Sequence, residues 1–149
     1  MCNVTKESDV KAAVDGTVKH FGKLSASVAC AGVAWPMLTL SSRDEMDTDR
    51  FKQVIDINVM GSLYVAKYAS VAISKNQPID GERGVMLFVS SVAAEEGQRG
   101  QIAYSASKGA INALMLPMAR DLGRYGIRVA AIAPGIFATP MGAKIKKEV

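Results

Sequence analysis

The stretch that decides the fold opens Val85-Met86-Leu87-Phe88-Val89-Ser90-Ser91 and closes Ile127-Arg128-Val129-Ala130-Ala131-Ile132-Ala133-Pro134-Gly135. The first run is apolar without alternation and stops at two serines. Between the runs, Tyr104 heads a long helical pattern that ends near Gly123, and Lys108 stands one helical turn after Tyr104. The order is strand, loop, helix, strand. It puts Ser91, Tyr104 and Lys108 at one end of the unit.

Outward from this unit the same alternation continues. Residues 25–31, SASVACA, form another short apolar run that Gly32 stops. Continuous apolar strands are the pattern of a parallel sheet covered on both faces by helices. The predicted fold is therefore α/β, a doubly wound parallel sheet of Rossmann type, in a single domain over residues 1–149. A helix is predicted over 10–21, capped by Ser8 or Asp9 and ended by Gly22. A second is predicted over 48–74, with Phe51, Val54, Ile55, Val59, Leu63, Val65 and Ala66 on its apolar stripe. Residues 33–47 and 76–84 read as loops. In such folds ligands bind at the carboxyl ends of the strands. Those ends are Gly32, Ser90-Ser91 and Pro134-Gly135.

The helix predicted over 103–122 carries GAINALMLPMA at 109–119, where Asn112 is the one polar residue. A helix apolar nearly all round is not covered by one sheet face alone. It predicts a subunit interface, the other reading being complete burial within one chain. Pro117 is expected to loosen its last turns.

Composition bounds the function. With 49% hydrophobic and 21% charged residues the chain reads as a globular α/β protein. At 149 residues it can bury roughly 70% of the surface that its unfolded form exposes. No apolar run approaches the ~18 residues of a membrane span. The opening residues, MCNVTKESDV, show no targeting pattern. The net charge of +4 is scattered apart from Lys144, Lys146 and Lys147, so direct nucleic-acid binding is not expected. Cys2 and Cys30 form no metal or redox motif, and read as two reduced thiols. His20 is the single histidine and sits at a helix end, where it favours the dipole. No metal site is expected, and a Ser-His-Asp triad is disfavoured.

Tyr104 and Lys108 at i, i+4 share a helical face. A phenol is a poor base at neutral pH, but a nearby ammonium and a helix N-terminus both favour the phenolate. Such a tyrosine can take a proton from an alcohol or give one to a carbonyl oxygen. Ser91 at a neighbouring strand end can hydrogen-bond the same oxygen. The arrangement suits alcohol–ketone interconversion, with hydride passing to a cofactor.

On these residues the chain resembles the short-chain dehydrogenase/reductase family, over essentially its whole length. The resemblance implies that Tyr104 is the acid/base, that Ser91 orients the substrate oxygen, and that Lys108 lowers the tyrosine pKa and holds the nicotinamide ribose. It makes Asn58, in Ile57-Asn58-Val59-Met60-Gly61, the fourth catalytic residue, anchoring a water in a proton relay through Lys108. It assigns Asn3 and Val4 to the adenine, Cys30, Ala31 and Gly32 to the adenosine side, and Pro134, Gly135 and Thr139 to the nicotinamide. Gln98 matches a substrate-contacting glutamine.

Within the family the resemblance runs to members acting on 3-hydroxyacyl-CoA and hydroxysteroids. Asn76-Gln77-Pro78, Gly81-Glu82-Arg83-Gly84, Ser91-Val92-Ala93-Ala94, Glu96-Gly97-Gln98 and Leu116-Pro117-Met118-Ala119-Arg120-Asp121-Leu122 carry it. It implies NAD, with NADP as the alternative, and a mitochondrial homotetramer assembled through the helices at 48–74 and 103–122. The 3-oxoacyl-carrier-protein reductases share the trio and usually lack the loop at 76–84. Two features depart from the family pattern. The sequence contains neither GxxxGxG nor GxGxxG, and Ala29 and Asn3 stand where the family usually has Asn and Asp. The expectation is a domain incomplete at both ends, with weak NAD binding and an unpaired apolar edge at the strand over 25–31. The alternative is a non-catalytic interaction subunit, as in mitochondrial tRNA processing.

Overall fold

The computed structural model describes residues 1–41 and 45–139, so the lysines at 144, 146 and 147 lie outside the described residues. The apolar run of the opening stretch forms the middle strand, β2 (Gly84–Val89). It is flanked by β1 (Ala26–Ala29) and β3 (Ile127–Ile132), and both pairings are parallel. The helices are α1 (Glu7–Phe21), α2 (Thr48–Ile55), α3 (Gly61–Ser74) and α4 (Ile102–Gly123). A π-turn, Asp56–Met60, joins α2 to α3 without interrupting the helical path. The result is a parallel sheet flanked by helices, Rossmann-like as the sequence predicts.

One sheet face carries the core. Ala29, Met86, Phe88 and Ile127 pack there against Ala66, Ala69 and Ile73 of α3 and Ile111 of α4. Complete burial of each large side chain stabilises by about 1.5–3 kcal/mol. A second cluster, Met37, Val54 and Ala103, joins the loop after β1 to α2 and α4. A parallel bridge between Met37 and Gln101 holds that loop beside the start of α4.

Two local readings are corrected. The strands are not all covered on both faces: Val28 of β1 is 55% exposed and Ile132 of β3 is 49% exposed. The apolar runs report side-chain character on both faces, while the described helices α3 and α4 pack the face of Met86 and Phe88. Neither Ser8 nor Asp9 caps α1. The N-cap is Lys6, without a side-chain hydrogen bond, and the Asp9 carboxylate instead accepts from the Asn3 amide at 3.0 Å. Pro117 lies inside α4, as read from the sequence, and the helix runs on to Gly123. Gly22 does end α1, in the left-handed conformation expected of it. As foreseen, β1 is an edge strand.

Two glycines separate backbone demand from helix propensity. Gly126 has φ +66°, and a Cβ there would run into the Gly81 carbonyl. Gly16 lies inside α1 with open space where its Cβ would be. Gly126→Ala should therefore lower unfolding free energy by about 2–3 kcal/mol. Gly16→Ala should raise it by about 1 kcal/mol. Urea titration of the two variants checks both signs, and equal effects would contradict the geometry.

Candidate active site

The site is built where the chain leaves β1 and β2 and enters α4. Asp47 starts the helical path, its carboxylate accepting from the Arg50 amide at 2.9 Å. At the π-turn the Gly61 amide bonds the Asp56 carbonyl, five residues back. The turn sets Asn58, 1% exposed, into the space between β1's exit and α4. There Asn58 Oδ1 accepts from the Val33 amide at 2.8 Å, and Nδ2 donates to the Val33 carbonyl and to Ser107 Oγ, each at 2.9 Å. The Asn58 carbonyl accepts from Ser62 Oγ at 2.7 Å. Both side-chain donors are therefore used, and Oδ1 keeps one lone pair for a further donor such as water.

Gly32 faces this amide and the lysine together. A Cβ on Gly32 would stand 3.4 Å from Asn58 Oδ1 and 3.7 Å from Lys108 Nζ. Lys108 is 6% exposed. Its ammonium donates to the Val89 carbonyl at 2.7 Å and lies 5.5 Å from the centre of the Tyr104 ring. Burial holds the Lys108 pKa below its ordinary 10.5, and nearby Cys30 opposes this to a smaller degree. Ser90 Oγ donates to the Lys108 carbonyl at 3.2 Å, tying the end of β2 to α4.

Ser91 follows in extended backbone and caps the single 3-10 turn Val92–Ala94, its Oγ accepting from the Ala93 amide at 3.1 Å. The Val92 amide donates to the Pro134 carbonyl at 3.1 Å, so the exits of β2 and β3 are joined. The sequence-predicted strand ends thus converge. Asn58, Gly32, Lys108 and Tyr104 share one locality, and Val92, the residue after Ser91, bonds Pro134. Cys30 and Ala31 lead directly into Gly32 and are exposed. Gly135 and Thr139 follow Pro134 on the exposed segment after β3, and the Thr139 amide bonds the Phe137 carbonyl at 2.8 Å. Asn3 is engaged in its own turn, its Oδ1 accepting from the Thr5 amide at 3.0 Å and hydroxyl at 2.9 Å. Val4 packs on Gly61, where a Cβ would come within 2.9 Å of the valine.

A cleft of about 480 Å³ is lined among others by Met37, Leu38, Ala93, Gln98 and Ser105; it includes Gln98 of the candidate residues, and Ser91, Tyr104 and Lys108 are not in its lining. Gln98 is exposed on it, and its amide donates to the Glu96 carbonyl at 3.1 Å. A larger hollow, about 790 Å³, lies at the opposite end of the sheet among Lys23, Lys75 and Arg83 and touches none of the candidate residues. The presence of Gln98, and of Ala93 and Ser105 next to the Ser91 and Tyr104 segments, favours the smaller one. Sequence reasoning did not single out Val33, Ser62, Ser90 or Ser107. The signal for Ser107 was present in its i+3 spacing from Tyr104.

The nicotinamide-ribose half of a dinucleotide fits these residues. A Cβ would fill the space at Gly32 in contact with Asn58 Oδ1, and the buried Lys108 ammonium stands beside it.

The short chain dehydrogenase family model matches residues 1–149. The chain is 42% identical to mouse 3-hydroxyacyl-CoA dehydrogenase type-2, over 99% of this chain and 58% of the mouse protein. Among solved structures, 3-hydroxyacyl-CoA dehydrogenase type-2 from Mycobacterium avium superposes with a TM-score of 0.89 at 35% identity, over 97% of this chain and 57% of that one. NAD+-bound xylitol dehydrogenase gives 0.81 at 35% identity, over 93% and 50%. The chain thus spans less than two thirds of the length of these relatives.

The buried ammonium has a measurable signature. Below the depressed folded pKa of Lys108 both states hold the proton, and the penalty of burying the charge is fully present. As pH rises from there toward 10.5 the folded state loses the proton first, so the unfolded state binds more and stability rises. Lys108→Met should abolish that rise. The difference in unfolding free energy between wild type and variant, measured by denaturant titration across this window, should increase with pH. A flat difference would contradict burial as the cause.

Proposed function

The chain belongs to the short-chain dehydrogenase family, and on that premise we propose that it serves as an oxidoreductase interconverting a secondary alcohol and a ketone with NAD. The observation that carries the reading is the buried Lys108 ammonium 5.5 Å from the Tyr104 ring, beside Gly32. Tyr104 takes the hydroxyl proton of the alcohol, or returns it to the ketone oxygen. Ser91 hydrogen-bonds the same oxygen and orients it. Lys108 holds a positive charge beside the phenol, which favours the phenolate form needed to accept the proton. Lys108 holds the nicotinamide ribose, Cys30, Ala31 and Gly32 line the adenosine side, and Pro134, Gly135 and Thr139 face the nicotinamide. Asn3 and Val4 meet the adenine. Asn58 holds the Gly32–Val33 turn against α4 and anchors the relay water through its spare acceptor site. The bound nicotinamide supplies the hydride acceptor.

The substrate class follows the relatives named 3-hydroxyacyl-CoA dehydrogenase type-2, a 3-hydroxyacyl-CoA; a hydroxysteroid is the alternative that the sequence resemblance implies. The cleft lined by Met37, Leu38, Ala93 and Gln98 gives such a substrate an apolar wall and one amide. A homotetramer in the mitochondrion belongs to the same reading. Exposed Val71 on α3 and Leu116 on α4, at 53% and 57%, support association through these helices. No helix among the described residues is long and apolar enough to cross a membrane.

The sequence lacks a glycine-rich phosphate loop, so NAD is held mainly through its ribose and nicotinamide. A Kd on the order of a millimolar is expected by calorimetry. With several millimolar NAD and 3-hydroxybutyryl-CoA, wild type should form NADH. Tyr104→Phe should lower kcat by about 10²–10⁴-fold with little change in NAD affinity. A wild-type protein without turnover, or a phenylalanine variant that retains it, overturns the reading; micromolar NAD affinity contradicts the expected binding mode.

A further inference from the structure

Resting on the dehydrogenase reading, we propose that Ser107 is a positioning residue that fixes Tyr104 and Lys108 against Asn58, and through Asn58 against the Gly32–Val33 turn. Ser107 is completely buried and lies three residues after Tyr104, directly before Lys108. Its Oγ donates to the Tyr104 carbonyl at 2.7 Å and accepts from Asn58 Nδ2 at 2.9 Å. A hydroxyl has one proton, so with that proton on Tyr104 the bond to Asn58 runs in one direction only.

A serine inside a helix often bonds back to a carbonyl of the preceding turn and does nothing more. The second bond separates this case from that one. It crosses from α4 to the π-turn, and the other Asn58 Nδ2 hydrogen and Oδ1 are bound to Val33. A chain of hydrogen bonds therefore runs from the turn beside Gly32, through Asn58 and Ser107, to the backbone of Tyr104. Removing the hydroxyl leaves a buried amide N–H unpaired, and the amide or α4 must shift to repair it. A shift of that kind misplaces the phenol relative to the Gly32 segment.

The test compares wild type, Ser107→Ala and Ser107→Thr, each checked for folding by thermal melting. In Ser107→Ala the Asn58 side-chain amide protons, followed by nitrogen-resolved NMR, should exchange with solvent at least about tenfold faster. The ring signals of Tyr104 should move while those of Tyr125 stay in place. Under the turnover assay kcat should fall about tenfold, with KM for alcohol and NAD within about twofold, and the threonine hydroxyl should restore part of the loss. A folded alanine variant whose Asn58 amide and Tyr104 signals match wild type overturns the proposal, as does a loss that appears in KM with kcat unchanged. The NMR arms need no turnover. An inactive wild type therefore sinks the dehydrogenase reading while the Asn58 and Tyr104 signals still decide the role of Ser107.

Discussion

The arrangement of the site depends on one buried amide. Asn58 is nearly sealed from water, and an amide there without partners would destabilise the fold by about 1–3 kcal/mol per unmet group. It is satisfied by the backbone of Val33 and by Ser107. These partners come from the loop after β1 and from α4, and Asn58 itself comes from the turn between α2 and α3. One side chain thus sets the distance between three segments. The π-turn is what makes this possible. A regular helix from 48 to 74 would carry the residues after Asp56 onward at 100° per step, and the widened turn alters where Asn58 points.

A second constraint acts at the end of β2. The Val89 carbonyl takes the Lys108 ammonium, where a longer sheet would have given it to a neighbouring strand. β1 pairs with β2 only as far as Ala29 opposite Phe88. Beyond that point the chain turns through Cys30, Ala31 and Gly32, and the vacated carbonyl becomes a lysine site. Burying the ammonium is unfavourable, as its depressed pKa records. It is tolerated because Val89 accepts from it and the Tyr104 ring lies close by.

The sequence made the strands and most of the helices legible because their apolar runs and stops are strong, local signals. Gly84–Val89 and Ile127–Ile132 were readable from composition alone, and Gly22 and Tyr104 marked a helix end and a helix start. Ser91, Tyr104 and Lys108 stood out by position and spacing, whereas Asn58 came through family resemblance, since no period or spacing in one chain sets it apart from other helical asparagines. The π-turn was not legible. It arises from the tertiary demand of Asn58 for Val33 and Ser107, which propensity does not encode. The start of α1 was misread for a related reason: the Asp9 carboxylate is drawn to the Asn3 amide of the preceding turn instead of capping its own helix.

Coverage of the strands was misread because an apolar run reports what a strand is made of, and says nothing of what lies over it. Val28 and Ile132 are apolar and half exposed on the face that α3 and α4 leave open. An exposed apolar edge strand invites pairing with another chain, and the usual protections are brevity, charge or a cover. β1 is four residues long, and on β3 Arg128 is paired with Glu82 at 3.0 Å. The shortness of β1 therefore has two consequences with one cause. The strand ends at Ala29, which limits the open edge, and the segment that follows carries Gly32 past Asn58 and Lys108. A Cβ at Gly32 would stand in van der Waals contact with both, 3.4 Å from Asn58 Oδ1 and 3.7 Å from Lys108 Nζ, so the chain leaving the short strand also forms one wall of the site.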